Sequence, residues 1–175
     1  MKAAYEQYFQ KQRQYCLEQY GSPPKVMRTD DIDPALIRSA PDEDDEVVWA
    51  PALRQEWQSP DLPFALNAEM KLFYGTYLYA RLSGEYGDWR FYFDGLPSEG
   101  KIPAIIKRQS DDGRYYFPGR QVLVLGEAEN EGDDSWLICY DNESAAVFCY
   151  RPEDAAQKGL GLSLAELIAA MEALD

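Results

Sequence analysis

The sequence predicts an α+β fold, a mainly antiparallel sheet flanked by helices, in one domain over residues 1–175. Three observations carry that expectation. Apolar side chains recur at helical spacing near the start of the chain, a capping box opens an apolar stripe at Ser163, and short apolar runs bounded by turn residues lie between them. The length of 175 residues suits one compact domain, and a composition of 46% hydrophobic and 14% aromatic residues supplies enough apolar surface to offset the entropy of ordering the chain.

Tyr5, Tyr8, Phe9, Gln12, Tyr15, Cys16 and Tyr20 share one face of a first helix, with Lys11 and Arg13 elsewhere on it. Gly21 and Pro23 end that helix, and its tyrosine stripe reads as core packing. From Ser22 to Pro63, seven prolines (Pro23, Pro24, Pro34, Pro41, Pro51, Pro60 and Pro63) rule out a long helix and predict a surface segment, with a strand at Val47-Val48-Trp49. Phe64, Leu66, Met70, Phe73 and Tyr74 suit a helix that starts near Pro63 and stops at Gly75. The alternation from Tyr77 to Leu82 predicts a strand, joined across Gly84-Glu85-Tyr86-Gly87 to another at Trp89 to Phe93.

Residues Asp94 to Gly119, with Pro97, Pro103, Pro118 and several glycines, read as irregular apart from a short element at Ile102 to Ile106. Gln121 to Leu125 is a strand, and Glu127 to Asp134 reads as a solvated acidic turn. Ser135 to Tyr140 and Ala145 to Tyr150 form a hairpin. A turn centred between Asn142 and Glu143 places Trp136, Ile138, Tyr140, Ala145, Val147 and Cys149 on one face, with Cys149 opposite Trp136. Both faces are apolar, so both should be covered. At the end, Ser163 and Glu166 form the capping box of a helix whose stripe is Leu164, Leu167, Ile168, Met171 and Leu174.

Charge narrows the function. Thirty-one acidic residues against 17 basic ones leave a net charge of -14, which opposes binding to nucleic acid or to an anionic membrane surface and favours a basic protein partner. The chain contains no histidine, which excludes Ser-His-Asp and Cys-His catalysis and His-ligated metal sites. Cys16, Cys139 and Cys149 lack CxxC spacing and read as reduced, buried thiols. No glycine-rich phosphate loop occurs, and counting an EF-hand loop from Asp42 puts Val47 and Leu53 where Gly and Glu are needed. The first residues lack a signal-peptide core, and no apolar run approaches the roughly 20 residues of a spanning helix. The expectation is a cytoplasmic, non-enzymatic binding protein without cofactor or metal and without direct membrane insertion.

Candidate contacts are the run Asp42, Glu43, Asp44, Asp45 and Glu46, together with Glu85, Asp88 and Asp94 around the Trp89 to Phe93 strand. Alone, such runs are usually solvated loops. Gathered around one sheet, they make a field that speeds encounter with a Lys/Arg-rich segment.

The order of several motifs resembles a known family. Behind the tyrosine-rich first helix come Asp45-Glu46-Val47-Val48-Trp49-Ala50-Pro51, Phe73-Tyr74-Gly75-Thr76 and Tyr86-Gly87-Asp88, then the hairpin around Asp141-Asn142-Glu143 and the ending Leu162-Ser163-Leu164-Ala165-Glu166-Leu167. Together they resemble the Syd family of SecY-interacting proteins, within the SUKH superfamily, over nearly the whole chain. The stretch from Asp94 to Gly119 departs from the pattern, lacking the amphipathic helix that the family carries there. The resemblance implies a Syd-like α+β fold with an acidic concave face that meets basic cytoplasmic loops of the SecY translocation channel, hence a peripheral place at the inner membrane. The same superfamily includes immunity proteins that neutralise polymorphic toxins, so a basic toxin domain is the alternative partner.

Overall fold

The computed structural model describes residues 1–54 and 60–174. Helix α1 (Lys2–Tyr20) buries Ala4, Tyr5, Tyr8, Phe9, Gln12 and Cys16 and ends on Gly21 in the left-handed conformation, whose N–H donates to the Leu17 carbonyl. Its stripe is core from Tyr5 to Cys16, with Tyr15 half-buried, whereas Tyr20 is exposed at the helix end: the Tyr5 hydroxyl donates to the Phe73 carbonyl at 2.8 Å, and the Tyr8 hydroxyl donates to the Ser83 carbonyl at 2.7 Å. The proline-rich stretch that follows forms an antiparallel ribbon of β1 (Lys25–Met27) and β2 (Glu46–Val48), a short 3-10 turn at Pro34–Leu36, and β3 (Ala52–Leu53). Leu36, Val47 and Trp49 bury it against the body of the molecule.

Helix α2 spans Ala68–Thr76, so it begins after Pro63 and continues through Gly75. Asn67 sets the start, because its side chain caps the Met70 N–H while also donating to the Tyr140 hydroxyl and the Asn142 carbonyl. The alternating run after it is divided between β4 (Tyr77–Leu78), which pairs with β3, and β5 (Leu82–Tyr86), which pairs with β6 (Trp89–Phe93). The turn therefore sits at Gly87-Asp88, where Gly87 has φ 60°, and Gly84 lies inside a strand. A Cβ on Gly84 would stand 2.6 Å from the Glu172 carbonyl oxygen, so glycine there permits close packing and does not mark a turn.

The largest departure from expectation is α3 (Ile102–Tyr116), a helix of 15 residues where the sequence reads as irregular. The prolines bracket it: Pro103 occupies the first turn, where no N–H is needed, and Pro118 lies beyond the end. Its buried face is Ile102, Ile106, Gln109, Ser110 and Gly113, a helical spacing carried largely by polar and small residues.

Strands β7 (Val122–Asn130), β8 (Asp133–Asp141), β9 (Ala146–Arg151) and β10 (Ala156–Gly159) complete the main sheet with β11 (Glu172–Ala173). The order is β10-β9-β8-β7-β6-β5-β11, antiparallel throughout. The acidic stretch from Glu127 to Asp134 is thus mostly strand, with a turn only at Glu131 and Gly132. Ala128 and Asn130 point inward while Glu127 is exposed, the alternation of a half-buried strand.

In the β8–β9 hairpin Tyr140 faces Val147 and Ile138 faces Cys149, two residues from the expected register, because the turn extends to Ala145 at φ 56°. Cys149 therefore lies opposite Ile138, not Trp136, and Ala145 is in the exposed turn. A shift of two preserves the faces. Trp136, Ile138, Tyr140, Val147 and Cys149 join the main core with α1 and α2, while Cys139, Phe148 and Tyr150 form a second cluster with Phe117, Val122 and Val124. All three cysteines are buried, and Cys139 and Cys149 are free thiols. Helix α4 (Leu164–Ala170) opens with the expected capping box. Among the described residues no helix is long and apolar enough to cross a membrane.

Candidate functional site

The acidic residues named from the sequence fall into three places. At the turn between β1 and β2, Asp42 Oδ1 accepts the N–H groups of Asp44 at 3.1 Å and Glu46 at 3.0 Å, and Lys25 pairs with the same carboxylate. The lysine contact and then the Glu46 N–H hold the Asp42 carboxyl below its ordinary range. Asp42 thus shapes the turn, while Glu43, Asp44 and Asp45 are exposed and form no ion pair among the described residues. Asp45 itself takes φ 60°, which the Asp42 carbonyl steadies by accepting its N–H.

Glu85 and Asp88 stand at the end of the β5–β6 hairpin. Sheet order places the β7–β8 hairpin beside them, and the two turns enclose an open cleft of about 410 Å³ lined by Glu85, Asp88, Trp89, Arg90, Glu129 and Glu131 with Gly87 and Gly132. Arg90 donates to Glu85 at 2.8 Å and lies 3.6 Å from Glu129, and the Glu85 hydrogen bond is the first cause of its raised pKa. Asn130 ties the turns together by donating to the Asp88 carbonyl at 3.1 Å. The apolar wall is firm: the Trp89 ring meets Trp136 edge-on at 5.2 Å, and Lys158 lies over both rings at 5.4 and 5.1 Å. Four carboxylates therefore face one guanidinium among the lining residues, on a wall of packed tryptophan.

Asp94 lies at the far end of β6 from Asp88, about 20 Å along a strand rising ~3.3 Å per residue. It is half-buried, and its Oδ2 accepts from Gln109 at 2.8 Å and from Arg108 at 2.9 Å. Gln109 in turn accepts the buried Tyr74 hydroxyl at 2.5 Å, so the chain Tyr74–Gln109–Asp94 pins α3 to the sheet. Asp94 borders a second cleft, of about 390 Å³, with Tyr92, Arg108, Asp112, Tyr116 and Glu127. The structure therefore joins Glu85 to Asp88, adds Glu129 and Glu131 to them, and leaves Asp94 and the Asp42 to Glu46 run elsewhere. Among the described residues no hydrogen bond or ion pair links the three groups.

Glu129 and Glu131 belong to an acidic stretch visible in the sequence, but its reading as a loop hid the fact that strand pairing aims it at the β5–β6 turn. Chemically, the cleft offers fixed negative charge beside an aromatic wall, which suits the ammonium or guanidinium groups of a polypeptide. Elsewhere, burial pushes the Cys149 thiol up to about 12 and raises Cys139 as well, which keeps both protonated. Among the described residues no group of three or more Cys, Asp or Glu side chains is arranged to hold a metal ion. In comparison with known proteins, no family model and no curated protein matches the chain.

Proposed function

We propose that the protein is a non-enzymatic binding protein that receives a Lys/Arg-rich polypeptide segment at the acidic end of its sheet. The observation that carries this reading is the convergence of Glu85, Asp88, Glu129 and Glu131 from two neighbouring hairpins on one open cleft walled by Trp89. Glu85 and Glu129 sit on paired strands and Asp88 and Glu131 in the tight turns that join them, so the carboxylates are pre-organised and little ordering entropy is lost when a cation docks. The exposed Glu43, Asp44 and Asp45 add to the long-range field, whereas Asp94, with its Oδ2 engaged by Arg108 and Gln109, serves to seat α3. The resemblance to the Syd family supports basic cytoplasmic loops of SecY as that segment and a peripheral place at the inner membrane.

The test is recovery of the purified protein on membranes with overproduced SecY and on matched membranes without excess SecY, at low and high salt. The expected result is SecY-dependent recovery that salt abolishes and that Glu129→Gln with Glu131→Gln reduces at low salt. Equal recovery on both membranes overturns SecY as the partner. Recovery indifferent to salt and to the double substitution overturns the acidic cleft as the docking surface.

A further inference from the structure

A second cleft differs in character from the acidic one and shares no lining residue with it. It has a volume of about 370 Å³ and lies between α1 and the proline-rich segment that leads into and out of β2. Phe9 and Trp49, packed edge-on at 6.1 Å, form one wall, and Pro24 and Pro51 form others. Prolines and interlocked aromatic rings cannot collapse cheaply, so the cleft is preformed, and its volume lies at the small end of the roughly 300–1,000 Å³ of small-molecule sites.

Three polar groups face this apolar space. Gln12 is only 3% exposed, yet its amide has no hydrogen-bond partner among the described residues. Its amide donors are therefore open to an acceptor that enters the cleft. Arg13 and Arg38 border the same cleft and form no ion pair among the described residues, in a chain whose net charge is -14. The Arg38 guanidinium is fixed in place by donating through Nη1 to the Ala35 carbonyl at 2.6 Å and the Ile37 carbonyl at 3.1 Å, which leaves its other N–H groups without an acceptor among the described residues. Elsewhere on this protein most guanidinium groups meet carboxylates, as Arg54, Arg90, Arg108, Arg114, Arg120 and Arg151 do.

We infer that this cleft binds a small apolar monocarboxylate, with the hydrocarbon body against Trp49, Phe9 and the prolines and the carboxylate held by Arg13, Arg38 and the Gln12 amide. Charge complementarity selects the head group: the two guanidinium groups favour an anion, and the Gln12 N–H₂ supplies a further donor. The rigid apolar walls select the body, and the size of the cleft selects a small molecule over a folded partner.

Sodium octanoate is the probe, with 1-octanol and octylamine as controls of equal chain length, read by heteronuclear NMR at the Gln12 side-chain amide and the Trp49 indole N–H of the full chain. Octanoate should shift both resonances saturably, octanol and octylamine should not, and Arg13→Gln with Arg38→Gln should weaken octanoate binding about tenfold. Arg13→Gln alone, at an exposed position with no partner among the described residues, must also weaken it and keeps the test valid if the double variant fails to fold. Equal shifts with octanol, shifts that do not saturate, or unchanged binding by Arg13→Gln would overturn the assignment. A carboxyl-terminal peptide that shifts these resonances where octanoate does not would overturn it equally, by making the ligand a polypeptide.

Discussion

At Arg151 one guanidinium serves two carboxylates and a ring, donating to Asp133 at 2.9 Å and to Asp154 at 2.7 and 3.0 Å while lying 4.8 Å over Trp136. Asp133 is held at about 2, first by the Ser135 hydroxyl and N–H and then by Arg151, and Asp154 is held at about 2 chiefly by Arg151. Both values lie below the ordinary carboxylate value of about 3.9. A carboxylate whose folded pKa is depressed contributes stability that is present above its unfolded pKa and is lost as pH falls through the folded one. The urea midpoint should therefore decline between about pH 4 and pH 2, and Arg151→Gln should flatten that decline, mainly through Asp154. An Arg151→Gln protein whose midpoint falls as steeply as the parent's over this window would show that the pairing adds no stability. Because Asp133 begins β8 and Trp136 backs Trp89, this residue also braces the wall of the acidic cleft.

Among the elements, α3 depends most on a residue with no side chain. A Cβ on Gly113 would lie 1.8 Å from the Val122 carbonyl oxygen and 2.6 Å from its carbon, and neither backbone can yield without parting helix from strand. Gly113→Ala should thus destabilise the protein by about 1–3 kcal/mol in urea denaturation, even though alanine is the better helix former. Gly100→Ala, which meets nothing within 4 Å, should change stability by less than ~0.5 kcal/mol. An equal effect of the two substitutions would remove the close approach as the cause. The same residue explains why α3 was hidden from a reading of the sequence. Apolar periodicity reports a helix only when its buried face is apolar, and here Gln109, Ser110 and Gly113 are three of the five buried residues, Gln109 bonded to Asp94. By contrast, α1, the β8–β9 hairpin and α4 were legible because their signals are local: a stripe ended by Gly21, two runs about a polar turn, and a capping box. The candidate site was legible in part for the matching reason. Glu85, Asp88 and the Glu127 to Asp134 stretch stand out by charge, but their meeting follows from strand order, which pairs residues forty positions apart.

For the whole molecule, a net charge of -14 raises the question whether binding needs a particular cleft at all or only a negative field. The two contributions act on different rates. Long-range potential sets how fast a basic partner arrives, whereas short-range contact sets how long it stays. Glu129→Gln with Glu131→Gln removes two charges from the cleft, and Glu43→Gln with Asp44→Asn removes two from the exposed turn between β1 and β2. Both leave the chain at the same net charge, so both should slow association with a basic peptide several-fold at low salt and scarcely at all at high salt. Only the cleft pair should speed dissociation, by about tenfold, because only there do the carboxylates stand beside a tryptophan wall. Surface plasmon resonance on an immobilised Lys/Arg-rich peptide separates the rates. If the two double variants dissociate alike, contact at the sheet end is no closer than elsewhere on the surface, and the protein attracts its partner through net charge alone.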